Sequence, residues 1–541
     1  MKRRLLLLFG KNGGSSAKGQ HLPGLHSPSI YSHIMNHLDP ASGRLSETGV
    51  SLPDEARRYA DSKIHWAPGA MDGAFGHYFG ANNNQDLART IAARVVRIAN
   101  DDSQQDKISL YTLLLEDNLL DFVAPALKEI AHSGISPYPY LHPFATFLAK
   151  ESPDRGPVKF AIAVLGFIGL GSDKETVSVL GRHEEFTLYA ALALANMLDE
   201  PETELWQLAQ KVDGWGRIHL VERLASASSP QIKDWLLRSG FRNSIMYEYL
   251  AYACATGGGL KIALLDNTVD DELLDGAGEI VGALIAEGPM EDINDYADAA
   301  VVVSRYLQHL CIRAPKLQHF VVVDSIVRYL TSENWISEER VQNGWSDELR
   351  AAAIEKARKI LSSPQWLVIV EQGLVSADSQ QFYLADQAAN ALGMNTWDVH
   401  WSRLQQNPRE SHLWYPIMQR ANHDNIDRIV GFAVDVLPLD QVTTGAADEL
   451  GLGPKYKIHR CLETIVQDLG KYPTVGWPVI ATCLRSPVVR NRNMAIRALA
   501  GWGRDNWTAE IEPALVQARA VEPQTDVKER IVKVLQGEPF D

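Results

Sequence analysis

Cysteine is scarce in this sequence, and its placement excludes two classes of protein. Cys254, Cys311, Cys461 and Cys483 stand far apart in 541 residues, with no Cys-x-x-Cys pair. That argues against a disulfide framework or a thiolate zinc site and reads as reduced thiols. Long apolar runs are missing as well. No stretch approaches the ~20 residues that cross a bilayer. The run Leu5–Phe9 within MKRRLLLLFGKNGG is too short for the core of a secretory signal. We therefore expect a cytoplasmic chain that begins with a strand or turn and has no membrane partner. Positive charge is also in deficit, with a net charge of −15. An acidic balance opposes attraction to nucleic-acid phosphates, so no nucleic-acid partner is expected.

Catalytic signatures are few. No Gly-x-Ser-x-Gly elbow occurs, and Gly10-Lys11-Asn12-Gly13-Gly14 lacks the spacing of a phosphate-binding loop. Gly276-Ala-Gly278-Glu-Ile-Val-Gly282 loosely resembles a dinucleotide fingerprint but follows an acidic helix instead of a buried strand. Glu129-Ile-Ala-His132 is half of a di-iron motif with no second copy. His33 and His37, one helical turn apart, lack a third placed ligand. No haem, flavin or non-haem iron motif is recognisable, so the cofactor is unknown.

What the sequence does hold is helical periodicity. In SPVVRNRNMAIRALAGWG (Ser486–Gly503), Val488, Val489, Met494, Ile496, Leu499 and Trp502 recur near helical spacing. Ala495, Ala498 and Ala500 permit close helix approach, and Gly501 and Gly503 are stop signals. This is the pattern of a helix that stacks in a solenoid. Gly156–Gly169 and Phe186–Leu198 repeat it, and Tyr111–Ala131 reads as one long apolar-periodic stretch. Ala299–Leu310, Asp347–Leu361 and Lys457–Leu469 are further helices. Trp366–Val370 is the nearest approach to a strand. No fixed period fits the whole chain. The expected fold is all-α: an irregular HEAT-like α-solenoid over residues 86–541. A largely irregular arm rich in Gly, Pro and His, residues 1–85, precedes it, with one or two short helices, the best near Asp54–Ala60.

Three clusters are candidate binding features. Between Ile262 and Ser304 there are eleven acids and no Lys, Arg or His. Asp271, Glu272 and Asp275 share one helical face there. That spacing suits either a Mg²⁺–diphosphate site or an acidic face for a basic partner. Arg485, Arg490, Arg492, Arg497 and Arg504 occur without an intervening acid, as partner-binding residues or as cross-links between repeats. Head-to-tail self-association of these two zones is a further expectation. Trp397, His400, Trp401 and Trp414 read equally as the lining of an apolar pocket or as packing at repeat junctions.

Four blocks carry a family resemblance: KVDGWGRIHLVERLA (Lys211–Ala225), EYLAYACA (Glu248–Ala255), HRCLETIVQDL (His459–Leu469) and GWPVIATCLRSPVVRNRNMAIRALAGW (Gly476–Trp502). They resemble bacterial HEAT-like repeat proteins commonly labelled limonene hydroxylase, over roughly residues 140–510. The resemblance implies a monooxygenase that converts limonene to carveol or perillyl alcohol, with further alcohol oxidation. Hydroxylating such a hydrocarbon needs an oxidant that side chains do not supply, so it also implies a cofactor or a redox partner. It assigns no catalytic residue. The residues themselves point elsewhere, to a non-catalytic scaffold presenting a long surface to a protein partner.

Overall fold

The computed structural model describes residues 28–60, 64–74, 84–115, 119–134, 139–333, 335 and 337–538. The expected amino-terminal strand or turn and the Gly10–Gly14 string lie outside these residues. Every element longer than an isolated bridge is helical among the described residues; the bridges are Leu38 with Leu45 and Glu449 with Val488. The fold is all-α.

The helical period sets the elements. In the helix Val489–Trp502, Ala495, Ile496, Ala498, Leu499 and Trp502 turn inward, and Gly503 closes it at φ 71°. Gly501 does not stop the helix. A Cβ there would lie 2.9 Å from the Gly470 carbonyl oxygen, so this glycine serves close packing. Trp366–Val370 belongs to the helix Gln365–Leu374. The described residues of the stretch Tyr111–Ala131 lie in the helices Gln104–Leu115 and Leu119–His132.

Two compact units form, Met1–His309 with Ser332–Ala353, and Leu310–Thr331 with Ile354–Asp541. In the first, the helix Arg155–Ile168 packs on Leu141–Glu151 and on Glu184–Met197. Glu184–Met197 packs on Trp215–Leu224, and the stack continues through Ala251–Gly258 to Asp271–Ile285. In the second, Lys457–Leu469 lies between Ser411–Gln419 and Val489–Trp502, and the last of these meets Thr525–Gln536. Each helix thus buries its apolar stripe against its neighbours in a HEAT-like solenoid arrangement. Among the described residues of the second unit, one core lies around Phe320, Trp366 and Val370 and another runs from Trp401 to Val534.

Among its described residues the arm carries the short helices Ile30–Asn36, Glu55–Arg58 and Ala70–Ala74. It is nonetheless packed: Ile30, Ile34 and Leu52 are buried in the first unit.

Candidate functional site

The densest cluster of charged groups lies where the arm meets the first unit, and sequence reasoning missed it. Arg155 and Lys159 sit one turn apart on a helix that is otherwise apolar. The Arg155 guanidinium donates from Nε to Asp54 Oδ1 (3.0 Å) and from Nη2 to Glu55 Oε2 (2.5 Å). Its backbone N–H donates to Asp54 Oδ2 (3.0 Å). Lys159 Nζ lies 2.7 Å from both Asp72 Oδ2 and Glu185 Oε1. Glu185 Oε2 also accepts the Gly69 N–H at 3.0 Å. Gly69 holds φ 73°, and a Cβ there would meet the Glu184 carbonyl oxygen at 2.7 Å, so only glycine fits this crossing.

Burial works against charge in this cluster, and ion pairing prevails. Desolvation would raise the Glu185 carboxyl, but Lys159 and then Arg155 hold it down at about 2. Burial likewise opposes the Lys159 ammonium, and Glu185 and Asp72 raise its pKa well above the ordinary lysine value. Both groups stay ionised near neutrality, so neither trades protons as a catalytic acid or base. His183 differs: burial pushes its imidazole down to about 4. It is neutral, donating from Nε2 to the Val50 carbonyl (3.0 Å) and accepting the Glu185 N–H at Nδ1 (3.2 Å). The cluster fastens the arm.

Successive helices are joined by a related device. The Glu184 carboxylate accepts the backbone N–H groups of Asp213 (2.7 Å), Gly214 (2.8 Å) and Gly216 (2.5 Å). A side chain from one helix thereby caps the start of the next, Trp215–Leu224.

The arginines separate into different roles. Arg492 does not reach the surface. It is 1% exposed, with Nε and Nη2 donating to Glu522 Oε2 (2.6 Å) and Oε1 (2.7 Å), and Nη1 donating to the Ser486 carbonyl (2.8 Å). Burial removes it from any partner-binding face. Arg485, Arg490 and Arg497 are exposed. Arg490 reaches Glu463 at 3.0 Å while its side chain keeps 56% exposure. Arg497 lies seven residues further along the same helix and therefore on the same face. Arg504 is engaged by Glu512 at 3.0 Å and by the Leu535 carbonyl.

The acidic segment is less isolated than its sequence implied. Arg238 donates to Asp270 (2.6 and 2.8 Å) and lies 3.5 Å from Glu272. Arg242 holds Glu279 (2.6 and 2.8 Å), and Lys261 holds Asp298 (2.8 Å). Hydrogen bonds from Arg238 hold the Asp270 carboxyl at about 2. Asp271 and Glu272 remain exposed and Asp275 is half-buried. Gly276 and Gly278 lie inside the helix Asp271–Ile285, against Leu237 and Tyr306, which is helix packing and not a dinucleotide loop.

The tryptophan cluster is core. Trp414 is fully buried and donates to the Pro408 carbonyl (2.8 Å). Trp397 stacks on Trp401 at 5.8 Å, and both Trp401 and Trp414 contact Phe432. His400 is buried against Asp386 (2.8 Å). His400, Trp401 and Trp414 are buried in this packing and Trp397 is half-buried against it. His33 and His37 bond to the backbone carbonyls of Gly49 and His33. Glu129 and His132 are exposed at a helix end. Among the described residues, no three His, Cys, Asp or Glu side chains are gathered to hold a metal ion, and no helix is long and apolar enough to cross a membrane.

No family model and no curated protein sequence matches this chain. Among solved structures it is similar to a chain in the crystal structure of Kap121p bound to Nup53p, at 11% identity and a TM-score of 0.16. The match covers 89% of this chain and 48% of that one, so the chain spans about half the length of its structural neighbour. A likeness this shallow carries no argument about fold or partner.

Proposed function

We propose that the chain is a non-catalytic HEAT-like scaffold that holds an acidic protein segment on the exposed arginine face of its carboxy-terminal helices. One observation carries this reading. Arg490 and Arg497 stand on one exposed helix face, with Arg485 at the end of the preceding helix, and only Glu463 pairs with any of the three among the described residues. A local cationic face on a chain of net charge −15 is a place where an acidic segment gains and most of the surface repels it. Self-association is the narrower form of this reading. The acidic helix already answers Arg238 and Arg242 within its own chain, which favours a different partner over a second copy.

The test is capture of the partner from the native host with the wild-type chain and with Arg490→Glu/Arg497→Glu. Loss of the partner in the variant supports the reading; equal capture refutes it. Limonene oxidation with a redox partner rests on the four sequence blocks. An ultraviolet–visible spectrum and elemental analysis of the native-source protein address it: stoichiometric haem, flavin or iron would replace the scaffold reading.

A further inference from the structure

The exposed arginine face has an apolar neighbour, the segment 443–456 between the helices Leu439–Val442 and Lys457–Leu469. Backbone hydrogen bonds hold this segment against the start of the helix Val489–Trp502. The Gly445 N–H donates to the Arg485 carbonyl (3.1 Å) and the Glu449 N–H to the Pro487 carbonyl (3.3 Å). The Glu449 carbonyl accepts the Val489 N–H (3.1 Å), and its carboxylate accepts the Tyr456 hydroxyl (2.6 Å). At Gly451 the chain turns inward at φ 77°, where a Cβ would meet Val488 Cγ1 at 2.7 Å. The leucines on either side stay outside: Leu450 is 39% exposed and Leu452 51%. A pinned backbone thus presents two leucines to solvent in a fixed place.

Cations flank these leucines. Arg490 follows the bonded Val489, and Arg485 supplies the carbonyl that holds Gly445. Lys455 stands near the end of the segment and Arg460 in the first turn of the next helix; all four side chains are exposed. The carboxylates of the same elements are engaged within the chain: Glu449 by Tyr456, Asp448 by Gln524, Glu463 by Arg490 and Asp468 by Lys471. The helices Lys457–Leu469 and Val489–Trp502 both begin here with no acid in the first turn, so their positive ends add to the field. A purely polar acidic segment would leave the leucines in water. An apolar segment without acids would leave the arginines unanswered. Resting on the scaffold reading above, we propose that the segment held here is both acidic and apolar: its carboxylates pair with Arg485 and Arg490, and a large apolar side chain between them packs on Leu450 and Leu452.

The experiment selects a phage-displayed library of random dodecapeptides on the full chain, after counter-selection on the bare support. It compares the wild type, Leu450→Ser/Leu452→Ser and Arg490→Glu/Arg497→Glu. Both leucines lie at the surface, so their variant keeps the urea midpoint of the wild type. On the wild type, acidic and large apolar residues should be enriched together in the same peptides. The leucine variant should keep the enrichment in acids and lose that in apolar residues. The most enriched peptide, labelled with fluorescein and followed by anisotropy, should bind the leucine variant about tenfold more weakly. Serine in place of its apolar residue should cost the wild type about the same factor and the leucine variant nothing further. Enrichment in acids alone, or equal binding of the labelled peptide to the leucine variant and the wild type, would overturn this inference and leave the scaffold reading standing. No enrichment in acids on the wild type, or the same enrichment on the arginine variant, would overturn both.

Discussion

Replacing Lys159 by Met tests whether the arm is held by charge. Lys159 is 6% exposed, and its ammonium bridges Asp72 and Glu185 at 2.7 Å each. Methionine keeps the apolar stem and removes the charge, leaving two carboxylates facing each other in a buried site. Arg155 remains only at the edge of the pair, 3.9 Å from Glu185. Breaking a buried ion pair in this way costs about 3–5 kcal/mol. If the loss falls on arm docking, backbone amides of residues 47–60 and 64–74 exchange about 10²–10⁴-fold faster at pH 7.

The acid dependence gives a second signature. In the wild type, Glu185 titrates near 2 instead of its ordinary 4.5. Its depressed value contributes about 3 kcal/mol, present above pH ~4.5 and lost as pH falls toward 2. Without Lys159, burial is far less opposed and the carboxyl takes up a proton at higher pH. The difference between variant and wild type therefore shrinks between pH 7 and 4. His183, depressed to about 4, weakens both proteins as pH falls from about 6.5. Arm exchange in Lys159→Met within threefold of wild type at pH 7, or a difference that stays constant into acid, would refute the reasoning.

Two other substitutions probe the joints of the stack. Arg492→Met leaves Glu522 buried and unpaired and should cost about 3–5 kcal/mol in urea unfolding. Adding Glu522→Leu should recover most of that loss, which a double-mutant cycle measures. Glu184→Gln replaces a carboxylate that accepts three backbone N–H groups. It should lower stability by about 1–3 kcal/mol, read as a fall in the urea midpoint with an unchanged slope.

The fold was legible because helical periodicity is local. Ala299–Leu310, Asp347–Leu361 and Lys457–Leu469 follow from their apolar spacing with matching boundaries. The arm's attachment was not legible, because Asp54 meets Arg155 across 101 positions and Asp72 meets Lys159 across 87. The available signal was two bases one turn apart in the apolar run RGPVKFAIAVLG, which no solvated face explains. Arg490 and Arg492 are two residues apart on one helix, so they face opposite sides. Treating the arginines as one group hid the separation of an exposed Arg490 from a buried Arg492. The acidic segment misled in the opposite sense, since Arg238 and Arg242 come from residues preceding it. The tryptophans were ambiguous from spacing alone, and burial makes them core.

The most direct test of the scaffold is affinity capture from the native host, quantified by mass spectrometry at low and moderate salt. It compares the wild type, Arg490→Glu/Arg497→Glu and the exposed control Arg89→Glu. All three should unfold within about 0.5 kcal/mol of one another, since the changed side chains lie at the surface. The account predicts an acidic partner that is retained by the wild type and the control, weakened by salt, and lost from the double variant. A partner retained equally by all three proteins and indifferent to salt would contradict it.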